Sequence, residues 1–91
     1  EPHVLNFGAA GMGPELKPGI ALAIEPMITR GSPKTKVLAD EWTVVSQDGT
    51  RGAHFEHSFA ILEDGKPFVL TAIDGGREKL GSLGIDISNL L

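Results

Sequence analysis

The run Ile20–Ile28, IALAIEPMI, constrains the fold more than any other stretch, because it is apolar enough for a buried strand yet carries Glu25 and Pro26 inside it. Side chains alternate along a strand, so Ile20, Leu22, Ile24, Pro26 and Ile28 share one face, and Ala21, Ala23, Glu25 and Met27 the other. The first face is bulky and suits a core. The second pairs small side chains with a carboxylate and leaves space beside the acid. Pro26 has no N–H to give a ladder, so the strand must end, bulge or run along an edge there. Sheets commonly aim a side chain at a site in such places.

The rest of the chain reads as strands joined by short turns. Residues 1–6 are extended at most, and NFGAAGMG is too rich in glycine for a regular element. That stretch has no GxGxxG pattern and no following Lys-Ser/Thr, so a plain loop is favoured over a phosphate cradle. Pro18-Gly19 is a type II turn signal that starts a strand near Ile20. RGSPKTKVLADE reads as a polar loop, WTVVSQ as a strand opening on Trp42, and QDGT as a hairpin turn. RGAHFEHSFAILE reads as a second long strand, with Ala53, Phe55, His57, Phe59 and Ile61 on one side and His54, Glu56, Ser58 and Ala60 on the other. EDGK then turns the chain into PFVLT. After Gly75-Gly76 the pattern supports one or two weak helical turns at most. The chain reads as one domain over 1–91, with 72–91 a tail of unassigned role.

Composition excludes several classes. Ninety-one residues with 12 Gly and 6 Pro make a small, turn-rich domain with a modest core. A net charge of -4 argues against direct nucleic-acid binding or an anionic membrane surface, both of which need clustered Lys and Arg. The apolar runs fall far short of the roughly 20 residues of a membrane span. With no Cys there is neither a disulfide framework nor a thiolate metal site. The opening Glu1-Pro2-His3 has no initiator Met and no signal-type leader, as expected of the interior of a longer protein.

Two residues stand out chemically. Glu25 and Glu56 each lie mid-strand in apolar context, where an unpaired ionised carboxylate costs several kcal/mol or shifts its pKa strongly. A solvated edge or an ion pair would satisfy either one. A shared metal ion would satisfy both, with carboxylate oxygens as hard ligands and imidazole as a borderline one. By strand parity His54 shares the side of Glu56, whereas His57 falls on the opposite face as a core or supporting residue. A carboxylate pair for glycoside cleavage is a further option, weakened by the lack of aromatic platforms: one Trp, four Phe and no Tyr. Patterns for serine nucleophiles, zincins and EF-hands are absent.

Five segments in series, EPHVLNFG, LKPGIALAIEPMI, DEWTVVSQDG, AHFEHSFAILEDG and FVLT, resemble the type I methionine aminopeptidases from Glu1 to about Thr71. IEPM with FEHS sets the chain apart from the creatinase, prolidase and X-Pro peptidase relatives that share the fold. The resemblance implies an α+β pita-bread architecture, of which this chain would be the C-terminal, strand-rich part with a curved antiparallel sheet. It implies two divalent metal ions (Co, Mn, Fe or Zn), with Glu25 as terminal ligand and proton acceptor and Glu56 as the ligand bridging both ions. Trp42 would lie near the substrate methionine pocket. His54 stands where many members have Gln beside that pocket, a departure that bears on hydrogen bonding to substrate.

The family's other ligands, two Asp and one His, would lie upstream of Glu1, so this chain would hold two of five and be inactive alone. Asp40, Asp48, Asp64, Asp74 and Asp86 fall in turns or the tail and match none of the motifs. The activity implied is removal of the N-terminal methionine from nascent proteins in the cytoplasm. The partners implied are N-terminal methionyl peptides, nascent chains and the ribosome, with no membrane. A non-catalytic remnant of the fold serving as an interaction module, or an X-Pro peptidase, is the alternative. Such a piece is expected to leave apolar sheet face exposed.

Overall fold

A computed structural model of the chain describes residues 3–90. In chain order the elements are β1 (Ala21–Ile24), β2 (Met27–Thr29), β3 (Thr35–Val37), β4 (Val44–Ser46), β5 (Gly52–His54), β6 (His57–Ile61), β7 (Pro67–Val69) and α1 (Arg77–Ser82). They fall into two compact units, Glu1–Ile24 with Glu56–Leu91, and Glu25–Phe55. All strand pairs are antiparallel. Among the described residues no helix is long and apolar enough to cross a membrane.

The first unit is built on a three-stranded sheet in the order β1-β6-β7. The Lys17–Ile20 turn delivers the chain to β1: Ile20 N–H donates to the Lys17 carbonyl at 3.1 Å, and Gly19 at φ 92° takes the left-handed position of a type II turn. β6 is the central strand, pairing Ile24 with His57 and Ala21 with Ala60 on one side, and Phe59 with Val69 and Ile61 with Pro67 on the other. Ile61, Phe68 and Ile87 are buried, and Ser88 N–H donates to the Pro67 carbonyl at 3.0 Å, so residues beyond α1 close over β7. Gly75 is buried at φ 66°, and a side chain there would collide with the Phe68 ring. The Asp74 carboxylate accepts from the N–H groups of Gly76 and Glu78, both at 2.9 Å, and so occupies free donors at the start of α1.

The second unit holds two separate ladders, β2-β5 and β3-β4. Its turns are organised by two aspartates. Asp48 accepts from Ser32 N–H at 2.8 Å and from the Thr50 N–H and hydroxyl at 3.1 and 2.7 Å. Asp40 accepts from the N–H groups of Trp42 and Thr43 at 3.1 and 2.9 Å, and from the Thr43 hydroxyl. No described residue of this unit is buried.

Four expectations need correction. The stretch read as a polar loop contains β3, because Thr35, Lys36 and Val37 pair with Ser46, Val45 and Val44 although Lys36 interrupts the apolar pattern. The long strand read over RGAHFEHSFAILE is two strands, β5 and β6, separated by Phe55 and Glu56. That break matches the one at Glu25-Pro26, where the missing proline N–H stops the ladder as anticipated. Trp42 does not open a strand: β4 starts at Val44, after the Asp40 turn. The bulky face of IALAIEPMI, read as suited to a core, is only half covered at Ile20 and Leu22 and exposed at Ile24 and Ile28, in keeping with the exposed apolar sheet face expected of such a piece.

Candidate metal centre

Glu25 sits in the two-residue interruption between β1 and β2, and His54 closes β5. The β2-β5 register pairs Met27 with His54, and Phe55 N–H continues the ladder by donating to the Pro26 carbonyl at 3.1 Å. Proline contributes the acceptor it still has while lacking the donor, so the backbone is held beside Glu25 without a regular strand. This brings His54 Nε2 to 3.0 Å from Glu25 Oε2, a hydrogen bond in which the ring N–H donates to the carboxylate. Both side chains are about half exposed, at 48% and 51%. Their ligand atoms lie close enough together to share one ion, and they combine a hard oxygen with a borderline nitrogen. Parity placed His54 on the side of Glu56; in the folded second unit its bonded partner is Glu25.

Glu56 belongs to the first unit and directly precedes β6, exposed to solvent. His57, expected in the core or in a supporting role, is exposed, because it stands at the end of β6 away from Ile61. Its Nδ1 lies 2.7 Å from Thr71 Oγ1, and Ser58 N–H donates to the same hydroxyl at 3.0 Å. Sequence reasoning passed over Thr71. The one signal was its place at the end of PFVLT, a polar residue closing an apolar strand. Trp42 stands 87% exposed.

The five aspartates set aside on sequence all have local work. Asp40 and Asp48 hold turns of the second unit. Hydrogen bonds from the Thr43 hydroxyl and from the Thr43 and Trp42 N–H groups keep the Asp40 carboxyl below its ordinary value. Ser32 N–H, followed by the Thr50 hydroxyl and N–H, pulls Asp48 down to about 2. Glu78 and Gly76 N–H groups lower Asp74. Asp64 accepts from Lys66 N–H at 3.0 Å, and Asp86 is paired with Lys66 Nζ at 2.7 Å.

No family model matches the chain. Methionine aminopeptidase 1 of Bacillus subtilis is 54% identical over 65 residues, covering 71% of this chain and 26% of its own length. Methionine aminopeptidase 1 of Mycobacterium tuberculosis is 54% identical over 71 residues, covering 78% and 26%. The chain belongs to the type I methionine aminopeptidase family. A crystal structure of methionine aminopeptidase from Thermotoga maritima matches with a TM-score of 0.67 at 45% identity, over 78% of this chain and 28% of that one. The expected α+β pita-bread class holds, with the antiparallel strands of the described residues divided into three sheets. The chain spans about a quarter of the length of the curated methionine aminopeptidases it matches.

Proposed function

We propose that the chain is part of a metal-dependent methionyl aminopeptidase, a hydrolase that removes the N-terminal methionine from nascent polypeptides in the cytoplasm. The 54% identity to enzymes named methionine aminopeptidase carries this reading. Support for metal use comes from the donor chemistry of Glu25 and His54, whose exposed oxygen and nitrogen lie 3.0 Å apart.

In this reading Glu25 and Glu56 are the carboxylate ligands that this chain contributes, and carboxylates with an imidazole nearby accept Co, Mn, Fe or Zn. Bound divalent ions would activate a water and polarise the scissile carbonyl. Glu25 takes up the proton of the attacking water at a carboxylate oxygen. His54 holds the Glu25 carboxylate in one orientation while the reaction proceeds, as partners of ligating groups commonly do. Trp42, being exposed, is free to cover the side chain of the substrate methionine.

The test compares Glu25→Gln with the unaltered full-length protein, since glutamine keeps a hydrogen-bonding oxygen for His54 but loses the charge. Binding of Mn(II) by calorimetry and release of methionine from a Met-Ala peptide are measured together. The expected result is affinity weakened by about 10-fold or more and turnover lost. Unchanged Mn(II) binding and turnover would overturn the reading. Cleavage of X-Pro peptides in preference to Met-Ala would replace it with the X-Pro alternative.

A further inference from the structure

We infer that Thr71 and His57 are positioning residues for Glu56, fixing the start of β6 from which that carboxylate extends; this rests on the reading of Glu56 as a metal ligand. β6 is the middle strand of its sheet, yet its two neighbours do not cover it equally. β1 pairs with it down to His57, whereas β7 pairs with it only as far as Phe59, opposite Val69. Beyond that point Leu70 N–H still donates to the Ser58 carbonyl at 2.8 Å. A regular antiparallel ladder would return Ser58 N–H to the Leu70 carbonyl. Instead Ser58 N–H donates to the Thr71 hydroxyl at 3.0 Å, and the same oxygen meets His57 Nδ1 at 2.7 Å. One side chain therefore holds both residues that follow Glu56.

The chemistry of the hydroxyl suggests how the three groups share it. Thr71 Oγ1 has two lone pairs and one hydrogen. Full use of them has Oγ1 accept from Ser58 N–H and donate its own hydrogen to His57 Nδ1, which leaves the ring proton on Nε2. His57 is also the one polar side chain among the residues, including Ile24, Phe59, Val69, Leu80 and Ile85, that line an open groove of about 260 Å3. That groove offers the ring no competing side-chain acceptor. The buried Ile61 lies at the other end of the β6-β7 ladder, opposite Pro67. Removing the hydroxyl should thus loosen the end of β6 that carries Glu56 and leave the core in place.

The experiment uses the isotopically labelled full-length protein, with Thr71→Val as an isostere lacking the hydroxyl and Thr71→Ser as the variant keeping it. Three quantities are read: the nitrogen shifts of the His57 ring, hydrogen exchange at the Ser58 amide, and Mn(II) affinity. The unaltered protein should show His57 protonated on Nε2. Thr71→Val should speed Ser58 exchange by roughly 5- to 10-fold, the loss of one hydrogen bond. It should also weaken Mn(II) binding by about 10-fold, as loss of an outer partner of a ligand commonly does. Thr71→Ser should restore both, and the Ile61 amide should exchange alike in all three proteins. Glu56→Gln separates the two ideas. If Glu56→Gln weakens Mn(II) binding while Thr71→Val leaves it unchanged, the inference is overturned and the ligand reading stands. If Glu56→Gln binds as tightly as the unaltered protein, Glu56 is not a ligand and the inference falls with that reading.

Discussion

The two units are stabilised in different ways. The unit of Glu1–Ile24 with Glu56–Leu91 buries Ile61, Phe68 and Ile87, whereas the unit of Glu25–Phe55 buries none of its described residues. A third strand makes the difference. In the first unit β6 has neighbours on both sides, and Ile61 of β6, Phe68 of β7 and Ile87 beyond α1 are each buried. The second unit has only two-stranded ladders, which are marginal by themselves in water, and depends on carboxylates that collect the N–H groups of its turns. Apolar burial therefore dominates one unit and polar turn chemistry the other.

The largest test of that contrast is truncation in each unit. Phe68→Ala removes a ring that is 5% exposed and leaves a cavity, which typically costs about 3–5 kcal/mol. A domain of this size has roughly that much stability in total, so the unfolding transition of the first unit should be lost or moved to very low denaturant. Val45→Ala, in the half-buried middle of β4, should cost about 1 kcal/mol or less. Urea titration followed by amide resonances of each unit measures both. Equal losses would remove the distinction between the units.

Acid should act in the opposite sense. The Asp48 carboxyl lies near 2 when folded because Ser32 N–H and then the Thr50 groups bond its ionised form, while an unfolded aspartate titrates near 3.9. A depressed folded value means that the contribution is complete above about pH 4 and disappears as pH falls through about 2. Asp40 is lowered in the same direction by Thr43 and Trp42. The Ser32 and Thr50 amides should lose protection over that window, and Asp48→Asn should flatten the dependence. The Ile61 amide, bonded to the Ile20 carbonyl at 3.0 Å, should stay protected to lower pH. Simultaneous opening of Ile61 and Ser32 would show that one cooperative core serves both units.

This contrast also governs how much was legible in the sequence. The interruption at Glu25-Pro26 could be read because proline lacks an N–H wherever it stands, a local fact. The matching interruption at Phe55-Glu56 could not, since neither residue forbids a strand and the break follows from what β5 and β6 pair with. β3 was hidden for the same reason: TKV is a strand only because VVS lies beside it. Turns at Pro18-Gly19, Asp48-Gly49 and Asp64-Gly65 were legible from residues whose backbone preferences are intrinsic. Burial of Ile87 was not, as GIDIS has no helical period and owes its enclosure to the edge bond from Ser88 to Pro67. At the candidate site the motifs pointed to Glu25 and Glu56, while the hydrogen bond from His54 to Glu25 was not legible, because it follows from the β2-β5 pairing. The hydroxyl of Thr71 had no motif to advertise it.

The smallest effect is expected at the ion pair that looks strongest on distance alone. Lys66 Nζ lies 2.7 Å from Asp86, which raises the lysine and lowers the aspartate from their ordinary values. Both groups are exposed, so water and salt screen the attraction and compete for the same hydrogen bonds. Lys66→Met keeps most of the aliphatic stem and removes the charge. At physiological salt it should leave the thermal midpoint of the first unit within measurement scatter, and the residual difference should vanish at 1 M salt. A loss approaching that of Phe68→Ala would mean that surface charge, and not the burial of residues such as Ile87, holds the segment beyond α1 against β7. The two units would then differ in how many polar anchors each has, and not in the kind of force that folds them.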